Sequence, residues 1–219
     1  MDNLSMSLNT ISGQVYEILK NDICSGVYPP GYWLQEKELA KQLSISRSPV
    51  REALRRLATE QLVRDIPNKG TFVREFSPRD IEEIFELRVL LENNAIEHIS
   101  QETMGEIQVV KLRGIVKALK ESYADSNLSG YIEYDKQLHN SIIHMAGNRT
   151  IETIYNQTTL MISRFRSYSL TDAKRFGDSV SEHEQIVNYL IEGNKQGAKE
   201  INYEHLKLAR DQILEYIKS

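Results

Sequence analysis

The chain has 219 residues, a formal net charge of −4 and an apolar content of 40%, which sets the expectation at one or two domains with real cores. A single cysteine, Cys24, excludes a disulfide framework within the chain and reads as a packed helix residue; a reducing cytoplasm fits it. No run approaches the ~18 apolar residues of a membrane span, and the first residues lack the basic-then-apolar pattern of a secretory signal. A cytoplasmic protein without membrane contact is therefore expected.

In chain order, residues 1–8 read as a tail. Thr10 to Ser25 has helical spacing, with Val15, Ile18, Leu19 and Ile23 as the expected buried stripe and Gly26 as terminator. Tyr28-Pro29-Pro30-Gly31 is a turn leading to Trp33 and Leu34. The densest pattern then runs from Glu36 to Val73. A short helix carries Leu39, Ala40 and Leu43 at helical spacing, with Lys37 and Lys41 on its other side. Ser44-Ile45-Ser46 is a turn. A second helix opens at Ser46 or Ser48, either of which could cap it, with Pro49 in its first turn. Val50, Ala53, Leu54 and Leu57 make its buried face. Arg47, Arg51 and Arg55, four apart, share the opposite face.

Leu62 to Ile66 and Thr71 to Arg74 read as two short strands closed by Asn68-Lys69-Gly70. Two helices, a tight turn and a hairpin make a winged helix-turn-helix. From Lys37 to Arg74 there are nine Lys and Arg against four Asp and Glu. The positive charge of a net-negative chain is thus concentrated where a duplex would bind. Arginines on the second helix suit bidentate contacts to guanine, and serine hydroxyls suit phosphates or base edges. The candidate DNA-binding residues are Lys37, Ser46, Arg47, Ser48, Arg51, Lys69 and Gly70, with Lys69 at the hairpin tip reaching a phosphate or the minor groove. The bland reading of the same stretch is a helical hairpin with a solvated basic face.

Pro30-Gly31, Leu39-Ala40, Ser46-Arg47-Ser48-Pro49-Val50-Arg51-Glu52-Ala53-Leu54-Arg55-Arg56-Leu57 and Gly70-Thr71-Phe72-Val73 together closely resemble the DNA-binding domain of the GntR family of bacterial transcription regulators. The resemblance covers about the first 75 residues. Ser44 and Gln61 stand where that family usually has glycine, and Lys37 where arginine is common.

Composition shifts near Glu75-Phe76-Ser77-Pro78. Residues 1–76 carry ten basic and nine acidic side chains, residues 77–219 seventeen and twenty-two. The expected domains are therefore 1–76, for DNA binding, and 77–219, an all-α antiparallel bundle. Ser77 caps the first bundle helix, with Asp80 in its first turn. Helices are expected over Pro78–Ser100 (Ile81, Ile84, Phe85, Leu91 and Ala95 inward), Gly105–Ala124 (Ile107, Leu112, Ile115 and Leu119 inward), Ser129–Met145, Thr150–Tyr168, Ser179–Glu192 and Gly197–Ile217. The fold class is mainly α.

Four polar residues fall on apolar faces of that bundle. Asp135 and His139 are four apart within the stripe Tyr131, Asp135, Leu138, His139 and Ile142. His183 shares a face with Val180, Val187 and Leu190, and His205 with Ile201 and Leu208. Buried charge and buried imidazole need partners, and a divalent transition metal would satisfy all four together. Zn is the first expectation, with Ni, Mn or Fe as alternatives. A satisfied polar core network is the bland alternative. Arg88, also inward, needs an anion; Glu92 one turn on is the simple partner and a ligand carboxylate the functional one. Arg164 is a second candidate for the carboxylate. His98 and His144 receive no role.

Tyr131-x-x-x-Asp135-x-x-x-His139, Glu182-His183 and Glu204-His205-Leu206 resemble the FCD ligand-binding domain of the FadR subgroup. In that subgroup the matching Asp and three His bind a metal, and a small carboxylate often completes the shell. The resemblance implies a transcription regulator, a repressor in the first instance. It would bind a palindromic operator as a homodimer and respond to a small organic acid. Three rivals stay open: the metal as the signal, a purely structural metal, and a bundle metalloenzyme with a DNA-binding appendage.

Overall fold

The computed structural model describes residues 10–161, 163–166, 168–170 and 172–218, without the side chains of Arg164 and Lys218. The tail expected over 1–8 and the side chain of Arg164 lie outside the described residues. The chain divides into two compact units, 1–76 and 77–219.

In the first unit, α1 (Ile11–Cys24) starts at Thr10, whose hydroxyl accepts from the Gly13 amide at 3.0 Å. Helix α2 (Glu36–Gln42) and α3 (Arg47–Thr59) follow. Ser46 is the N-cap of α3, but its side chain makes no capping bond. Strands β2 (Val63–Ile66) and β3 (Gly70–Val73) form the expected hairpin. A third strand, β1 (Trp33–Leu34), pairs antiparallel with β3 and gives the order β1-β3-β2. Two residues are too few for strand alternation to register in a sequence. Leu19, Ile23, Leu39, Val50, Leu54 and Leu57 are buried. Ile18, expected to join them, is 44% exposed. The buried arc of α1 runs through Val15, Tyr16, Leu19 and Ile23, and Ile18 lies roughly 100° around the helix from Leu19.

Ser44 and Gln61 have φ of +55° and +59°. These are left-handed positions that favour glycine, which explains the glycine usual there in the resembling family. Gly70 has φ of +104°, and a Cβ on it would lie 2.7 Å from Trp33 Nε1, so a side chain at that residue would strain the backbone and displace the Trp33 ring.

The second unit is all-helical: α4 (Pro78–His98), α5 (Glu106–Ala124), α6 (Leu128–Met145), α7 (Arg149–Met161), α8 (Ala173–Glu192) and α9 (Lys195–Lys218). Helix α4 opens with a reciprocal capping box, the Asp80 amide donating to Ser77 Oγ and the Ser77 amide donating to Asp80 Oδ2. Helix α4 packs on α6, α7 and α9, α8 packs on α5 and α9, and α5 packs on α6. Leu112, Leu119, Leu138, Ile142, Tyr155, Ile186 and Val187 form the core between them.

Four expectations need correction. Helix α7 ends at Met161 instead of reaching Tyr168, and short 3-10 turns follow at Ser163–Phe165 and Tyr168–Leu170. Thr158, Thr159 and Ser163 each turn a hydroxyl onto a backbone carbonyl at this end, at 2.8, 3.0 and 2.8 Å, a competition that weakens a helix terminus. Helix α8 starts six residues before the expected Ser179, capped by Asp172, whose carboxylate accepts from the Arg175 amide at 2.7 Å. Gly177 breaks the helical pattern of the sequence; it is seated against Tyr123, whose hydroxyl would lie 3.0 Å from an added Cβ. Ile107 is 83% exposed, because Leu112 lies about 140° further round α5. Leu208 is 40% exposed, and Leu206 is the buried neighbour of His205 instead.

Candidate functional site

Helix α6 carries Asp135 and His139 one turn apart, α8 carries His183 and α9 carries His205. Each offers a ligand atom, and these atoms all lie within 4.8 Å of one another. The three imidazoles are buried. His183 Nε2 lies 3.4 Å from His139 Nε2 and 3.3 Å from Asp135 Oδ1, and His139 Nε2 lies 3.7 Å from the same oxygen. All four residues converge as the sequence pattern suggested.

The outer nitrogens define the chemistry of this cluster. His139 Nδ1 faces Glu92 Oε2 at 2.8 Å, and His205 Nδ1 faces Glu182 Oε2 at 2.7 Å. A ring nitrogen facing a carboxylate carries the proton. His183 Nδ1 meets Tyr131 Oη at 3.0 Å, and that hydroxyl donates to Ser179 Oγ at 2.8 Å, so it accepts from the ring. With their protons on these outer nitrogens, the rings turn Nε2 lone pairs toward one another and toward Asp135; at His205 the 2.7 Å contact to Glu182 is shorter than the 3.4 Å contact from Arg175 Nη2. Four acceptors facing each other in a buried space call for a cation. The donor set, three imidazoles and one carboxylate, suits a divalent transition metal. Bonds of ~2.0–2.1 Å at tetrahedral angles place ligand atoms roughly 3.3 Å apart, close to the shorter separations observed. The residues present fit such an ion.

Burial pushes His183 and His205 below the ordinary histidine value. Burial alone would raise Asp135, but the Arg166 guanidinium outweighs it and holds the carboxyl well below its usual range. Glu92 is likewise held low against burial by His139 and Arg88.

Three buried arginines line a small cavity beside the cluster: Arg88, Arg166 and Arg175. Arg88 pairs with Glu92 at 2.9 Å, the simple partner weighed above. Arg166 pairs with Asp135. Arg175 Nη1 lies 2.9 Å from Glu182, while its Nε is buried without a hydrogen-bond partner among the described residues. Arg166 and Arg175, and the pairing of Glu92 and Glu182 with the histidines, lie outside the expectations drawn from the sequence. Arg175, Ser179 and His183 are four apart on α8, so a helix begun at Asp172 would have placed Arg175 on the histidine stripe. His98 and His144 are exposed.

In the first unit Lys37, Ser46, Arg47, Ser48, Arg51 and Lys69 are all exposed and Gly70 is half-buried. Arg47 and Arg51 share one exposed face of α3. Lys69 sits at the β2–β3 tip, where its amide closes the turn on the Ile66 carbonyl at 3.0 Å.

A winged helix-turn-helix followed by an all-helical domain with a buried His/Asp cluster defines a class, the DNA-binding transcription regulators. Residues 11–73 match the model of bacterial regulatory proteins of the gntR family, and residues 83–208 match the FCD domain. The chain belongs to the GntR family and carries an FCD domain. It is similar to an uncharacterised HTH-type regulator from Agrobacterium vitis, 36% identical over 133 residues, covering 60% of this chain and 78% of that one. It is also similar to the gluconate operon transcriptional repressor of Bacillus licheniformis, 28% identical over 170 residues, covering 78% and 68%. Among solved structures, a GntR regulator from Rhodococcus sp. RHA1 matches with a TM-score of 0.77 and 26% identity, covering 93% of this chain and 97% of that one. A Zn2+-bound FCD domain shares the fold of the second unit with a TM-score of 0.55 and 23% identity, covering 65% and 97%. These relatives are regulators rather than enzymes, and no described helix is long and apolar enough to cross a membrane.

Proposed function

We propose that this regulator is a cytoplasmic repressor whose bundle holds a divalent metal, Zn first, on Asp135, His139, His183 and His205, and that a small organic dianion binds beside it. The outward protonation of all three imidazoles, which leaves Nε2 lone pairs facing a buried carboxylate, carries the metal reading. That an FCD domain has been solved with Zn2+ supports it. The metal would supply positive charge, and an ion that takes more than four ligands would leave a coordination position for a ligand oxygen.

Charge balance sets the ligand. Arg88, Arg166 and Arg175 are matched by Glu92, Asp135 and Glu182, a formal sum of zero. A divalent ion leaves an excess of two, which a dicarboxylate neutralises. Arg175, with its unsatisfied Nε, joins Arg88 as a carboxylate clamp. In the first unit, Arg47 and Arg51 read base edges while Lys37, Ser46, Ser48, Lys69 and the Gly70 backbone hold the phosphates. A homodimer would place two such helices on a palindrome. The ligand acts only by binding one arrangement of the DNA-binding units better than another.

A thermal-shift panel of mono-, di- and tricarboxylates, run on metal-loaded and chelator-stripped protein, tests the effector reading. A dicarboxylate is expected to raise the melting temperature of the loaded protein by several degrees, to leave the stripped protein unmoved, and to weaken operator binding. Equal shifts in both states would place the carboxylate away from the metal, and no shift with any acid would remove the effector from the account.

A further inference from the structure

Glu36, the first residue of α2, lies 11 and 15 residues before two arginines on the face of α3 proposed to read DNA. Its side chain is 24% exposed. Arg51 donates to it through two parallel bonds, Nε to Oε1 at 2.8 Å and Nη2 to Oε2 at 2.8 Å. Arg47 donates from Nη2 to the same Oε2 at 2.9 Å. One carboxylate therefore holds both guanidiniums. The hydrogen bond from Arg51, followed by that from Arg47, pushes the Glu36 carboxyl down to about 2 despite partial burial, so it is ionised throughout the physiological range.

The edges left free matter more than the pairing itself. A guanidinium has five N–H donors and two bidentate edges, one side-on through Nε and an Nη, the other end-on through both Nη atoms. Arg51 spends its side-on edge on Glu36 and keeps the end-on edge, the two-donor fork that matches guanine O6 and N7. Arg47 spends one Nη2 hydrogen and keeps those on Nε and Nη1. Long, exposed arginines lose much rotamer freedom when they dock on DNA. A carboxylate that fixes two of them beforehand reduces that loss, and it does so only for the arrangement it imposes.

We infer that Glu36 is a specificity-determining positioning residue, which aims Arg47 and Arg51 at base edges and restrains them from relaxing onto nearby phosphates. The inference rests on the reading that α3 enters the major groove. It makes a prediction opposite to the simple electrostatic one. A carboxylate near DNA repels phosphates, so its removal should tighten non-specific binding. If Glu36 also aims the arginines, its removal must weaken specific binding at the same time.

The experiment uses the full-length protein and an operator selected with it from a random-sequence duplex library, with a shuffled duplex as reference. Affinities for both are measured across a salt series. For Glu36→Gln, the ratio of operator to shuffled affinity is expected to fall at least tenfold, with shuffled-DNA binding as tight as or tighter than before. Glu36→Asp keeps the charge but withdraws it by one methylene from two arginines, so it should lower the ratio as well. An unchanged ratio in both variants, or operator and shuffled affinities that rise together, would overturn the proposal and leave Glu36 as a screening charge. Arg51→Ala, measured alongside, separates the two levels. If it leaves operator affinity intact, the placement of α3 in the groove fails. If it weakens the operator while Glu36→Gln leaves the ratio unchanged, only the role of Glu36 fails. Circular dichroism melts check that each variant is folded.

Discussion

His183→Ala is expected to lose the metal and to melt roughly 5–10 °C lower than the wild type in metal-containing buffer. A ligand at a hundredfold over its dissociation constant stabilises the folded state by ~2.7 kcal/mol, and at this chain length each kcal/mol moves the melting temperature by about 2–4 °C. After exhaustive chelation the difference between variant and wild type should shrink, because what remains is the packing of the ring against Tyr131 and its neighbours. A full difference that survives chelation would make the ring a packing element and not a ligand. Acid should act in the same direction. Burial lowers His183 and His205 in the folded state, so below the ordinary value of ~6.5 the unfolded chain binds more protons than the folded one. Their contribution to stability is complete above that pH and is lost as the pH falls below it. Protons also compete with the metal for Nε2, so metal release should track the same decline.

Arg47→Ala is expected to abolish selective operator binding while leaving fold and metal content intact. A bidentate guanine contact discriminates by ~1–3 kcal/mol, and two copies on a palindrome double that, so the operator should lose roughly thirtyfold to twenty-thousandfold in affinity. Lys69→Ala provides the contrast. A phosphate contact at the wing tip carries no sequence information, so its loss should weaken operator and shuffled duplex alike and lower the salt slope by about one unit per contact. An Arg47→Ala protein that still prefers its operator would remove α3 from the recognition role. A sequence-selective defect in Lys69→Ala would move the wing from backbone to base.

The contrast between what the sequence made legible and what it hid is physical. The α3 face, the hairpin and the Asp135/His139 pair were legible because each is written in short-range periodicity, four-residue spacing or turn chemistry. The convergence of His183 and His205 on that pair was legible because a histidine on an apolar helix face needs a buried partner. Glu92 as the outer partner of His139 was hidden, because Arg88 four residues before it already gives a sufficient local explanation, and Glu182 as the outer partner of His205 was hidden because that contact crosses from α8 to α9. Arg166 and Arg175 were hidden because hydroxyls end α7 early and Gly177 interrupts the pattern of α8, so both residues fell in a stretch of uncertain register. The pairing of Glu36 with Arg47 and Arg51 was hidden for another reason. It crosses the turn between α2 and α3, and no periodicity within a single element reports a contact between two.

The central claim is that four side chains from three helices hold a metal around which effector binding is organised. The most direct measurement is metal per chain by elemental mass spectrometry, on protein purified without a histidine tag or chelator. The account predicts about one equivalent of a divalent transition metal, Zn foremost, lost in His183→Ala. No metal in the wild type, and none taken up when the stripped protein is offered Zn, Ni, Mn or Fe, would contradict it and leave the cluster as a polar core network.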